Sequence, residues 1–331
     1  MLVRPPALLI TKTCIYKRTG ETRIPIDVYL PVAPTVACPI MLFIHGGGWL
    51  AGSRSDYCRP LFQQFLSLGF IGTSIDYRLL PETILGGQLE DIRDAESWLR
   101  NSLPPMFTDR GVTVNADKIV VVGASAGAHL ALMTADLWRE KPAAILSMYG
   151  PTNMHNVPSL RMSRFSKFPP PPSTPELLAA ATFKAPPTEF SPPKNKKDYM
   201  RARSRMGERI FGEGLIAEFL IRGLQKDETG KPKLPEKGSV SEEEINAISP
   251  LQLSQHINYP PVCQVMGDAD DVFDASHVHD FHEALEQRGV KCKKIIVSGK
   301  GHAFDIWEGI GGEIDKTVIG PAVEWVLQNM A

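Results

Sequence analysis

Six short apolar runs, rich in β-branched residues, punctuate the chain at 39–45 (PIMLFIH), 70–77 (FIGTSIDY), 118–123 (KIVVVG), 143–150 (AAILSMYG), 261–267 (PVCQVMG) and 293–299 (KKIIVSG). Their apolar positions are consecutive rather than alternating, which is the pattern of a strand buried on both faces. Between them the period changes to that of a helix. Residues 86–103 bring Leu89, Ile92, Ala95, Trp98 and Leu99 to one face, and 126–140 and 274–289 have the same spacing. Strand and helix alternate, which predicts an α/β fold with a mainly parallel central sheet flanked by helices. The runs near 8–17 and 23–30 have no helix between them and predict an antiparallel pair at one edge. Residues 321–330 (PAVEWVLQNM) predict a closing helix.

The rhythm breaks once, over 151–260, where about a hundred residues separate two strands. Eleven of the 28 prolines fall between Pro151 and Pro193. A connection this long inside a compact domain reads as a lid or an insert. Its stretch 168–176 (FPPPPSTPE) favours extended polyproline conformation. Residues 198–227 place Met206, Ile210, Leu215, Phe219 and Leu224 at helical spacing, interrupted near Gly212 and Gly214. With no repeat and no second core visible, the expectation is one domain over 1–331 carrying a lid insertion at 151–260.

Composition narrows the partners. A chain of 331 residues, 43% hydrophobic, can bury a large core, and a net charge of −1 gives no global reason to bind nucleic acid or an anionic membrane. A small-molecule site is the expectation. The five cysteines are scattered, without the close spacing of a zinc or redox motif, so they read as reduced thiols of a cytoplasmic protein with no metal or cofactor. The four-residue apolar run near the start is too short for a signal-peptide core, and no run of 18 apolar residues occurs.

Residues 123–127 read Gly-Ala-Ser-Ala-Gly, directly after a strand and directly before a helix. In that context Gly-x-Ser-x-Gly sets its serine on a sharp turn, exposed for attack. A serine hydroxyl needs a base to take its proton and a third group to orient the base. Of the eight histidines His302, in SGKGHAF after a buried strand, is best placed. His277, His279 and His282 read as surface positions of a helix, and His129 as a packing residue. The acid should follow the preceding strand, where MGDADDVFD offers Asp268, Asp270, Asp271 and Asp274. Residues 45–49, His-Gly-Gly-Gly-Trp, expose bare backbone after the first buried strand. Preorganised N–H groups stabilise the oxyanion formed when a carbonyl is attacked, and Gly47, Gly48 and Ala126 would supply them, a side chain at either glycine obstructing the carbonyl.

HGGGW, DYRLLPE (76–82), GASAGAHLAL and GHAF together resemble the α/β-hydrolase fold, and within it the hormone-sensitive lipase-like carboxylesterases with an HGGG motif. The likeness covers most of 23–150 and 249–330. SIDYRLLPE and LEDIRDAESWLR are most similar to fungal polyketide-synthase-associated hydrolases and thioesterase domains. The resemblance implies Ser125 as nucleophile, His302 as base, Asp270 as acid, and Gly47, Gly48 and Ala126 as oxyanion donors. The chain departs from the branch at Ala124, where an acidic residue often precedes the serine, and at Asp271, where proline often follows the acid. It also lacks the long N-terminal helical cap, which leaves enclosure of the substrate to 151–260. The implied reaction is cleavage of an ester or thioester through an acyl-enzyme, with acyl transfer or cyclisation on the same residues, or a non-catalytic receptor, as alternatives. The branch often forms homodimers. Between Arg161 and Lys237 there are 16 Lys and Arg against 9 Asp and Glu, a net of +7. Such a charge excess reads either as the solvated face of a flexible lid or, as the polyketide-synthase resemblance implies, as a rim with Arg201, Arg203 and Arg205 that would dock an acidic acyl-carrier domain, with Phe211, Ile216, Phe219 and Leu220 beneath it over the acyl chain.

Overall fold

In the computed structural model, which describes residues 8–34, 36–157, 173–181, 185–190 and 202–330, the buried runs become strands. In chain order these are β1 (Lys12–Thr19), β2 (Thr22–Tyr29), β3 (Cys38–Ile44), β4 (Ile71–Ile75), β5 (Val114–Ala124), β6 (Ala144–Met148), the short pair β7 (Gln225–Lys226) and β8 (Pro232–Lys233), then β9 (Val262–Gly267) and β10 (Cys292–Val297). Eight of them form one sheet in the order β1-β2-β4-β3-β5-β6-β9-β10. β1 and β2 form the expected antiparallel edge, and β2 also runs antiparallel to β4. From β4 onward every pair is parallel.

Parallel strands need crossovers, and the helical segments supply them on both faces. α1 (Arg59–Ser67), α2 (Leu85–Asn101) and α3 (Ala126–Leu137) follow β3, β4 and β5. α2 and α3 pack together on one face, and α1 meets the closing helix on the other. Ile40, Leu42, Ile44 and Val120–Val122 are fully buried because both faces are covered. The chain leaves β3 toward β4 and then returns past β3 to β5. The order therefore reverses between β3 and β5, and the crevice at the carboxyl ends of these two strands is where such sheets bind ligands. Both glycine motifs lie there.

Within 151–260 the described residues form α4 (Thr174–Ala180), α5 (Ala202–Gly212), α6 (Ile216–Arg222), the β7–β8 hairpin, α7 (Glu242–Ala247) and α8 (Pro250–Leu253). The helical break near Gly212 and Gly214 separates α5 from α6. The polyproline stretch 168–172 and Arg201 lie outside the described residues. Met206, Ile210, Phe211, Ile216, Phe219 and Leu220 join the same hydrophobic cluster as the sheet. The insert is thus packed onto the body. Residues 185–190 are pinned to it as well, through Leu79 N–H to the Pro187 carbonyl and a two-way backbone pairing of Gly52 with Phe190. The chain closes with α9 (Ser276–Gln287), β10 and α10 (Gly320–Asn329). Among the described residues no helix is long and apolar enough to cross a membrane.

Candidate active site

The turn between β5 and α3 carries Ser125 at φ 55° and ψ −122°, a strained backbone for a residue with a side chain. The residues two positions away on either side are glycine because the turn leaves no room. A Cβ on Gly123 would lie 2.2 Å from the Gly127 carbonyl oxygen, and one on Gly127 would lie 2.1 Å from that of Ile44. The Ser125 N–H donates to the Met148 carbonyl at 2.8 Å, tying the turn to the end of β6.

Ser125 Oγ is 2.9 Å from His302 Nε2, and His302 Nδ1 is 2.8 Å from Asp270 Oδ2. A carboxylate only accepts, so Nδ1 carries the proton and Nε2 is left to accept from the serine hydroxyl. The Asp270 side chain is 1% exposed and that of His302 11%. The other Asp270 oxygen accepts the N–H groups of Val272 and Phe273 at 2.8 and 3.0 Å, which fixes the carboxylate on its loop. The four acids of that loop divide their tasks. Asp268 accepts from Gly299 N–H at 2.6 Å, drawing the Asp270 loop toward the His302 loop. Asp274 accepts from Ser276 N–H at the start of α9, and Asp271 sits half-buried beside Asp270.

The glycine loop after β3 runs against this turn. A Cβ on Gly46 would meet Ser125 Cβ at 3.0 Å and the Ala124 carbonyl oxygen at 2.8 Å. Among the described residues the N–H groups of Gly47, Gly48 and Ala126 donate to no protein acceptor, whereas the Gly47 carbonyl accepts from Leu50 and Ala51. Three uncommitted donors therefore flank Ser125. The fold itself also requires bare backbone in this loop. At Gly47, with φ +113°, a Cβ would strike the Ala51 carbonyl oxygen at 2.1 Å, and at Gly48 it would come 3.0 Å from the ring of Phe211. The loop's own turn and the packing of the insert by themselves exclude side chains here.

Several contributors carry no sequence signal. Tyr149, at φ 42°, sets its ring edge-on to His302 at 4.9 Å, and Phe273 does the same at 5.5 Å from the other loop. The Tyr149 hydroxyl donates to Asp305 at 2.7 Å. Asp305 is buried, and burial pushes its carboxyl up from the ordinary range. These contacts cross between segments far apart in sequence, so no local pattern marks them. Trp49 donates through its indole N–H to His129 Nδ1 at 3.3 Å, and His129 Nε2 donates to the Ile248 carbonyl at 2.8 Å. His129 is thus a buried packing group, and burial holds it neutral, with its pKa lowered to about 4.

Two expectations need correction. His277 and His282 are buried, and His279 alone of the three is exposed, because α9 turns them toward the sheet and the 152–153 loop. His277 Nδ1 accepts the N–H groups of Thr152 and Asn153, both at 3.2 Å. The basic rim is also different. Arg203 reaches down to Glu82, with contacts at 2.6 and 3.1 Å, and to the Leu80 carbonyl at 2.7 Å. Arg205 is only 8% exposed. Arg203 thus fastens the insert, and neither side chain stands out into solvent as a rim. Of the apolar set, Phe211 roofs Gly48, while Ile216, Phe219 and Leu220 lie in the core.

Comparison with known proteins places the chain among relatives. The BD-FAE family model matches residues 26–188 and that of the dienelactone hydrolase family matches 244–314. A non-reducing polyketide synthase of Stereocaulon alpinum is 33% identical over 94% of this chain, and another from Acremonium egyptiacum is 30% identical over 96%. The matches occupy only 13% and 15% of those synthases' lengths. Among solved structures, Thermogutta terrifontis esterase 2 phosphoramylated by tabun superposes with a TM-score of 0.59 at 20% identity, covering 96% of this chain and 94% of that one. An α/β hydrolase superfamily protein from Enterococcus faecalis reaches 0.65 at 18% identity, covering 97% and 99%. At such identities the structures bear on the fold.

Proposed function

We propose that this chain, which has the α/β-hydrolase fold, is a serine hydrolase that cleaves a carboxylic ester or thioester through an acyl-enzyme on Ser125. The observation that carries this reading is the hydrogen-bonded series Ser125–His302–Asp270 beside three uncommitted backbone N–H groups. As Ser125 Oγ bonds to the substrate carbonyl carbon, its proton passes to His302 Nε2 and the carbonyl electron pair moves onto oxygen. The N–H groups of Gly47, Gly48 and Ala126 receive that negative charge. Asp270 holds the imidazole in the tautomer able to accept and balances the imidazolium once it forms. Collapse expels the alcohol or thiol with the proton held by His302. Water then attacks the acyl-enzyme, His302 takes its proton, and Ser125 leaves with that proton restored. A receptor lacking catalysis would have no need of a histidine in this place.

The substrate reading is finer: an acyl ester or thioester of polyketide type, presented free or on an acyl-carrier domain. Support comes from the synthase relatives that the chain matches along almost its whole length, and from Phe211 as an aromatic roof over the oxyanion loop. Because Arg203 and Arg205 are taken up by the fold, a carrier would have to dock on other residues. The test uses a small soluble ester and an aromatic acyl group on a carrier domain, each with wild type and Ser125→Ala. Turnover should fall by roughly 10⁴-fold or more in the variant, with the circular dichroism unchanged. Turnover within tenfold of wild type would refute the serine mechanism. Wild-type cleavage of the small ester together with inertness toward the carrier-bound acyl group would refute the carrier reading alone.

A further inference from the structure

Asp270 and His302 are joined by one arm of the chain, in which the acid loop runs into α9, α9 turns at Gly289, and β10 returns toward the histidine loop. At the far end of that arm, away from Ser125, three chemically distinct donors converge. We propose that His282, Glu286 and Cys292 form a zinc site that staples α9 to β10, the free edge strand of the sheet.

His282 and Glu286 are four residues apart and share one face of α9, and Cys292 opens β10 opposite them. The donor atoms of the three all lie within 4.8 Å of one another. His282 Nε2 is 3.5 Å from Glu286 Oε1, and the Cys292 thiol faces the His282 carbonyl with sulfur and oxygen 3.8 Å apart. The His282 side chain is only 9% exposed, and its buried Nδ1 has no hydrogen-bond partner among the described residues. The imidazole nitrogen turned toward Glu286 is Nε2, which is therefore the donor His282 would give to an ion held between them. Imidazole, thiolate and carboxylate are the donors zinc takes in tetrahedral sites, whereas magnesium and calcium want oxygen alone.

The charges also balance. Loading would deprotonate Cys292, forming a Zn–S bond and releasing one proton to solvent. One thiolate and one carboxylate then neutralise the divalent ion. Glu286 is 63% exposed, so that side is open for entry of the ion and for a water as fourth ligand. Lys294, two residues along β10, opposes binding by its charge, but its side is solvated and screens it. The linear spacing shows no metal motif. Only the turn from α9 into β10 brings Cys292 back beside the helix. The site stands independently of the hydrolase reading, since it touches none of the residues assigned to chemistry.

Zinc alone is the probe, titrated into the metal-free chain in competition with a chromophoric chelator. One zinc per chain is expected for wild type, with affinity lowered at least about tenfold in Glu286→Gln, Cys292→Ser and His282→Gln. Cobalt in place of zinc should give a thiolate-to-metal charge-transfer band in wild type that Cys292→Ser lacks. Glu286→Gln lies at the surface and guards against misfolding as the cause, and its melting temperature should no longer rise with zinc as that of wild type does. Absence of tight zinc binding in wild type, or equal binding in wild type and all three variants, would overturn the site.

Discussion

At the scale of single residues, the glycines do more than free a turn. Gly48 holds φ +63° and its missing Cβ is the surface on which Phe211 rests. Gly48→Ala should therefore cost about 1 kcal/mol for the left-handed backbone, plus a contact penalty that Phe211 imposes. Combining it with Phe211→Ala should remove the contact part. Chemical denaturation of the two single variants and the double variant should give a coupling well beyond the roughly 0.3–0.5 kcal/mol within which unlinked sites add. Strict additivity would mean that the roof does not rest on the loop. Ser125 and His302 were legible because each sits in a short motif whose neighbours are constrained locally. Asp270 was legible only through resemblance, since four aspartates in seven positions look equivalent until the fold gives each its own partner. Tyr149 was not legible at all: its role comes from a ring meeting His302 across 153 positions of chain, which no local pattern encodes.

At the scale of elements, the buried strands and the helices between them were readable because two-sided burial and helical period leave direct marks on the sequence. The charge of the insert misled for a physical reason. A count of arginines cannot distinguish a solvated rim from a fastening, and Arg203 is a fastening whose partner Glu82 lies in the loop before α2, only 1% exposed. Removing one member of a buried pair leaves the other's charge less well compensated, at a cost of up to about 3–5 kcal/mol. Arg203→Ala should lower unfolding free energy by about that amount in urea, and should raise KM as α5 loosens over Gly48. A loss under about 1 kcal/mol would show the pair to be solvated and the insert held by its apolar face alone.

At the scale of the whole molecule, burial of histidines gives the fold a dependence on pH. His45, His129 and His277 are each pushed by burial to about 4, below their ordinary 6.5. Between these values the unfolded chain binds protons that the folded chain refuses. Their contribution to stability is therefore complete above about pH 6.5 and lost as the pH falls toward 4. Asp76 works in the opposite sense: burial raises it from 3.8 to about 7, so the folded chain holds the extra proton and acid favours folding through this group. The net slope sums these, and a single variant isolates one histidine. His277→Asn, which keeps an acceptor for Thr152 and Asn153, should show a smaller drop in melting temperature than wild type between about pH 7.5 and about pH 5. An unchanged drop would mean that His277 is protonated in the fold. The central claim concerns the same folded molecule and one atom in it. Treatment with a fluorophosphonate followed by peptide mass mapping should place one adduct per chain on Ser125, with the rate of labelling sharply reduced in His302→Gln. An adduct elsewhere, or labelling of Ser125→Ala at the wild-type rate, would contradict the account.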